Sequence, residues 1–328
     1  MTKTAARLLY PLRFEPIFRR YIWGGRRLGT ALGKSIGEGD DYAESWEIVD
    51  HGDDQSRVAT GNLAGACLRE LVDEHADELF GRHAPQQIFP LLVKFLDCNR
   101  NLSLQVHPDD ERAARLDPPD LGKTEAWIVM DAAPGAVVYA GLKSGTTPEE
   151  FSEACHQGTC QPLLHQFEPR PGDCIFIPAG TVHALGEGLL VAEIQQASDT
   201  TYRLFDWNRL GADGQPRPLH LERGLEAIDY QGTELAAQRP QATDQPHVER
   251  LVECEKFVID RWQFQGERPI GGDGRFHIVV VLAGEMQVQN DPAAAPLRKG
   301  DSMLLPASCG ETLLATADDV VFLDSYLA

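Results

Sequence analysis

Residues 172–186 read Gly-Asp-Cys-Ile-Phe-Ile-Pro-Ala-Gly-Thr-Val-His-Ala-Leu-Gly, a G-x5-P-x-G-x2-H pattern. No other stretch narrows the possible folds as much. The glycines and the proline specify a tight turn between two strands. That turn delivers His183 to the start of a strand, where an imidazole is a metal ligand by type. Residues 300–306, Gly-Asp-Ser-Met-Leu-Leu-Pro, repeat the G-x5-P half 128 positions further on. In that register Ser308 replaces Gly180 and Glu311 replaces His183. The repetition predicts two copies of one strand-turn-strand unit, the second without the histidine.

The surrounding pattern agrees with a chain of short strands. Residues 7–60 read as strands broken by Gly turns, and Phe89 to His107 as two strands about Asn99-Arg100. Further strands are expected at Ala126–Met130, Val137–Gly141, Cys174–Arg203 and from Leu251 onward. Helices are few. Residues 66–80 are amphipathic and end at Gly81, Pro108-Asp109-Asp110 opens a short polar helix, and Thr147-Pro148-Glu149-Glu150 opens another with a capping box. Residues 231–247, rich in Gln, Ala and Pro, read as a linker, which puts the boundary between two domains, 1–240 and 241–328, near its middle.

The 30 Lys plus Arg against 50 Asp plus Glu give a net charge of −20. Such a surface repels nucleic acid and anionic membranes, and an anionic substrate would need a local basic pocket. The seven cysteines show no CxxC spacing, as expected of reduced thiols in the cytoplasm. Met1 to Tyr10 has no apolar signal core, and no apolar run approaches the ~20 residues that span a bilayer.

Gln105-Val106-His107 sets two coordinating side chains two apart, and on a strand those positions share a face. Lys123-Thr124-Glu125 repeats the spacing. With His183 this gives two imidazoles, a carboxylate and an amide oxygen. Such a mixed N/O set suits one Zn2+ per chain, or another divalent first-row metal, with a position open to substrate. The lack of Cys ligands argues against a closed structural zinc.

The Gly172–His183 pattern resembles one signature of the cupins, which are small jelly-roll barrels. The expected fold is therefore mainly β, two cupin-type jelly rolls with a few short decorating helices, the C-terminal one smaller and lacking the metal ligands. The ordered stretches Trp23-Gly24-Gly25, Leu102 to Pro108, Lys123-Thr124-Glu125, Pro178 to Gly186 and Ser198 to Arg203 resemble a narrower family, type I mannose-6-phosphate isomerase in its shorter bacterial form. The resemblance implies zinc on Gln105, His107, Glu125 and His183, an essential Arg203, and reversible conversion of mannose 6-phosphate to fructose 6-phosphate. Longer members carry a helical insert between the carboxylate and the second histidine, here reduced to the helix near 147–157. After Arg203 the sequence Leu-Phe-Asp-Trp-Asn-Arg departs from those longer members, so phosphate contacts there do not carry over.

Aldose–ketose isomerisation needs a base for the carbon acid and positive charge where the oxyanion develops. Arg203 suits the second role and is a poor base. The base is open between Glu193, Lys123 and a hydroxide on the metal. Trp23, Lys94 and Ser103 are the candidate substrate contacts, with Lys94 and Ser103 at family positions near the sugar phosphate. Two rival readings stand beside the isomerase: another metal-dependent cupin enzyme such as an Fe dioxygenase, and a non-enzymatic sugar-phosphate binder. Monomer and homodimer are both open.

Overall fold

The computed structural model describes residues 9–211, 214–232 and 234–328. The chain divides into two compact units, Met1–Ile17 with Glu47–Pro90 and Arg239–Ala328, and Phe18–Trp46 with Leu91–Gln238. The expected boundary at 240 is therefore only half the division. Residues 9–17 and 47–90 group with the C-terminal segment, because the chain crosses back before its second unit is complete. The expected 231–247 linker is partly pinned: Leu235 N–H donates to Ala140 and Gln238 N–H to Cys174. No helix among the described residues is long and apolar enough to cross a membrane.

The second unit is a roll of two antiparallel sheets. One runs Leu164–Phe167, Val138–Leu142, His183–Leu185, Leu104–Val106, Tyr202–Phe205. The other runs Cys174–Ile177, Glu125–Ala132, Leu189–Gln196, Leu91–Cys98, Tyr42–Ile48, Ile17–Gly25. Leu96, Trp127, Val129, Ile175 and Val191 from one sheet pack with Val138, Ala140 and Leu185 from the other, which marks the interior. The alternate residues Leu104, Val106, Tyr139, Ala184, Tyr202 and Leu204 pack with Phe151, Cys155 and Ala227 of two covering helices, Pro148–Gln157 and Leu221–Ala227. Because strand side chains alternate faces, this fixes which residues look inward.

The helix signals hold in outline. Thr147 Oγ1 accepts from the Glu150 N–H, and the reciprocal half of the expected capping box is not formed there. The 66–80 helix breaks at His75 into Leu68–Glu74 and Ala76–Phe80, and Gly81 ends it at φ 55°. His75 Nδ1 bonds Glu78 at 2.6 Å, a local alternative to continuing the helix. Gly24 has a packing reason, since a Cβ there would lie 2.4 Å from the Asp41 carbonyl oxygen.

In the first unit the main sheet runs Gln241–Ala242, Val248–Glu253, Val258–Gly271, Glu311–Tyr326, His277–Ala283, Ser302–Leu305. Its register reproduces the repeat. Ile177 pairs with Glu125, and 128 positions on (177 + 128 = 305) Leu305 pairs with His277. The Gly172 N–H bonds Val129 and the Gly300 N–H bonds Val281 in the same way. Two residues further along, Glu193 pairs with Trp127 as Asp324 pairs with Val279, and across the next strand Lys94 becomes Asp260. Exposed Glu311 opens its strand where His183 opens one in the other unit. The second copy thus keeps the frame, with His277, Asp324 and Asp260 at the places of Glu125, Glu193 and Lys94.

His277 is the centre of an ionic cluster, with Nδ1 2.9 Å from Asp324 and Nε2 3.2 Å from Asp273. Burial alone would lower its pKa, but the two carboxylates outweigh it and hold it at about 10. A raised pKa stabilises the fold fully below the unfolded value near 6.5, and that contribution is lost as pH rises through about 10. The melting temperature should therefore fall across pH 7–10 more steeply than in His277→Gln. That variant, with Asp324 left buried, should be less stable at pH 7 by about 3–5 kcal/mol. Parallel pH profiles of the two proteins would refute the pairing.

Candidate metal centre

The alternation of the inner faces assembles the site. Gln105 lies directly between His183 and Arg203 in the ladder, and Glu125 faces Gln195 across its own sheet. His107, Glu125 and His183 are buried, and their ligand atoms lie within 4.8 Å of one another. The amide of Gln105 lies 3.2 Å from His183 Nε2, and a half-turn about its terminal torsion presents the oxygen instead of the nitrogen. All four expected ligands therefore converge.

Both histidines are preset for a cation. His107 Nδ1 donates to the Thr200 carbonyl at 2.9 Å and His183 Nδ1 to the Thr181 carbonyl at 2.8 Å. Each bond fixes the tautomer and turns the Nε2 lone pair inward. Burial keeps both imidazoles neutral, pushing His183 down to about 3 and His107 well below its ordinary value, the latter with help from Lys123. Glu125 Oε1 is buried with no hydrogen-bond partner. An orphaned carboxylate oxygen costs a few kcal/mol, and a cation in the cradle would satisfy it. The donor set fits a divalent metal.

Lys123 Nζ bonds Glu125 Oε2 at 2.6 Å and His107 Nε2 at 2.9 Å. Beside it the pocket, about 280 Å3, is lined by Tyr21, Trp23, Glu44, Lys94, Ser103, Gln105, Trp127, Glu193, Arg203 and Arg217, among others. Every expected substrate and catalytic residue reaches this cavity. Lys94 Nζ sits 3.3 Å from Glu193 Oε1 and 3.5 Å from Glu44 Oε2. Burial would lower Lys94, but these carboxylates outweigh it and raise it. Glu193 is shifted upward by burial and by Glu125, against the pull of Lys94 and Lys123. Arg203 donates to the Pro218 carbonyl; burial and the nearby Arg217 lower its pKa.

Sequence reasoning missed Glu44 and Arg217. In Glu44-Ser45-Trp46 the i,i+2 spacing was a usable signal: the Glu44 carboxylate accepts from the Trp46 indole N–H at 2.6 Å. Arg217 lies in an irregular segment with no periodicity to place it.

A buried N/O cradle inside a two-sheet antiparallel roll, with a degenerate second roll in the same chain, defines a cupin-type metalloprotein. Models of the phosphomannose isomerase type I catalytic domain and of the mannose-6-phosphate isomerase cupin domain match residues 12–128 and 247–319. The chain is 37% identical over 302 residues to mannose-6-phosphate isomerase ManA of Bacillus subtilis, covering 92% of this chain and 94% of that protein. It is 35% identical to the mannose-6-phosphate isomerase of Streptococcus mutans, covering 90% and 92%. The crystal structure of the Bacillus subtilis mannose 6-phosphate isomerase superposes with a TM-score of 0.88 at 32% identity, covering 97% of this chain and all of that one. The chain belongs to the type I phosphomannose isomerase family.

Proposed function

We propose that this chain interconverts mannose 6-phosphate and fructose 6-phosphate, using one divalent cation held by Gln105, His107, Glu125 and His183. The observation that carries this reading is the pair of preset imidazoles converging with Glu125 in the pocket that also holds Glu193, Lys94 and Arg203. The mixed N/O donors favour zinc. When bound, the cation would supply Lewis-acid polarisation at the O1/O2 side of the sugar.

The remaining work falls to side chains. Glu193 carries the proton between C1 and C2: it is buried, its pKa is raised toward neutrality, and it lines the pocket. Lys123 Nζ sits on Glu125 Oε2 and on the His107 Nε2 lone pair that a cation would take, and the base role is given to Glu193. Arg203, next to Gln105 in the ladder, offers permanent positive charge to the enediolate oxygens. Trp23 and Ser103 wall the sugar, and Lys94 holds Glu193 in place. All these groups come from one chain, so a monomer or a homodimer would serve. Seven free cysteines suit a reducing cytoplasm.

A coupled assay on metal-loaded protein tests the reading. Mannose 6-phosphate should yield fructose 6-phosphate, and the reverse, without oxygen uptake. Oxygen consumption would favour a dioxygenase, and tight binding without turnover a sensor.

A further inference from the structure

Beyond Arg203, Asp206 gathers two guanidinium groups, in a chain whose net charge is −20. Asp206, buried, accepts from Arg217 Nε at 2.7 Å and Nη2 at 2.6 Å, and also from Arg209 Nη2 at 2.5 Å. Two guanidinium groups thus share one carboxylate. Arg209 is fixed at its other end by the Asn101 carbonyl at 2.5 Å, so the Asp206 carboxylate is held from both sides. Arg203 stands close enough for Arg217 to depress its pKa, second only to burial in that effect. Its Nε is buried with no hydrogen-bond partner. Holding like-charged guanidinium groups together in a half-buried wall costs energy, and a bound anion would offset it. Arg203 and Arg217 line the same cavity as Gln105 and Lys123.

At the opposite pole of candidates, Lys94 is a poor anion ligand, because Glu44 and Glu193 already compensate it within a buried wall. We infer that Arg217, held in place by Asp206, binds the phosphate of the sugar phosphate, and that Lys94 does not. This rests on the isomerase reading above. It orients the substrate: the reacting carbons lie at the Gln105–Glu125 end, and the phosphate at Arg217.

The test pairs kinetics with a binding readout. For Arg217→Ala, KM for mannose 6-phosphate should rise about thirtyfold or more, with the smaller part of the loss in kcat, as expected when a charge-assisted contact is removed. Inhibition by inorganic phosphate should weaken in parallel. Arg217→Lys should recover part of both. Turnover of unphosphorylated mannose, measured at high enzyme concentration, should change less than threefold, roughly, because that substrate never used the contact. Asp206→Asn, which loosens Arg217 without removing it, should raise KM by about tenfold and less than Arg217→Ala.

Unchanged KM and phosphate inhibition in Arg217→Ala would overturn the assignment. So would an equal loss with mannose and mannose 6-phosphate, which would make Arg217 a purely structural residue. Wild-type protein that binds inorganic phosphate through Arg217 yet isomerises nothing would sink the isomerase reading and leave the anion site standing.

Discussion

Exhaustive chelation should abolish isomerisation of mannose 6-phosphate, and one zinc per chain should restore it. His183→Ala reproduces the chelated state and cannot be rescued by zinc at concentrations that saturate the native protein. The expected loss is at least about a thousandfold in kcat/KM, since the variant forfeits charge stabilisation that a single preorganised donor already makes worth 10²–10³. The physical reason is local. His183 is one of two imidazoles whose Nε2 is turned inward by an Nδ1–carbonyl bond, and it sits in register with Gln105. Removing it takes a ligand and the partner of the Gln105 amide together. Activity assays with metal content measured on the same samples decide the matter, and turnover that survives complete metal removal would sink the mechanism.

Glu193→Gln lowers kcat by about 10²–10⁴ while KM stays within a few-fold, the signature of losing a proton-transfer group. The substitution keeps shape and leaves Lys94 its second carboxylate, Glu44, so melting should shift little. The direct readout is isotopic. In deuterated water the native enzyme should wash label into C2 of mannose 6-phosphate or C1 of fructose 6-phosphate, and Glu193→Gln should not. Near-normal exchange in the variant would take the base role from Glu193 and leave it between Lys123 and a hydroxide on the metal.

Much of the site was legible because it is written in local spacings. Gln105 and His107, and Lys123 and Glu125, declare shared strand faces, and the Gly172–His183 turn declares a strand start. The duplicated turn foretold a second roll, and the register of Leu305 against His277 bears it out. What stayed hidden depends on distant pairing. The grouping of residues 47–90 with the C-terminal strands has no local signature. Nor did composition show that residues 235 and 238 are tied to strands 95 and 64 positions earlier in the chain: their partners, Ala140 and Cys174, are chosen by the fold. Arg217 was invisible for the same reason, since its meaning comes from Asp206 and the pocket rather than from its neighbours in sequence.

The ionic cluster around His277 has a consequence for how the chain tolerates scarcity. One roll closes its interior with charges encoded in the gene, Asp324, Asp273 and a protonated imidazole, while the other keeps a carboxylate oxygen, Glu125 Oε1, without a hydrogen-bond partner. Loss of metal would therefore leave the ionic core of the C-terminal roll intact and touch only the interior of the other roll.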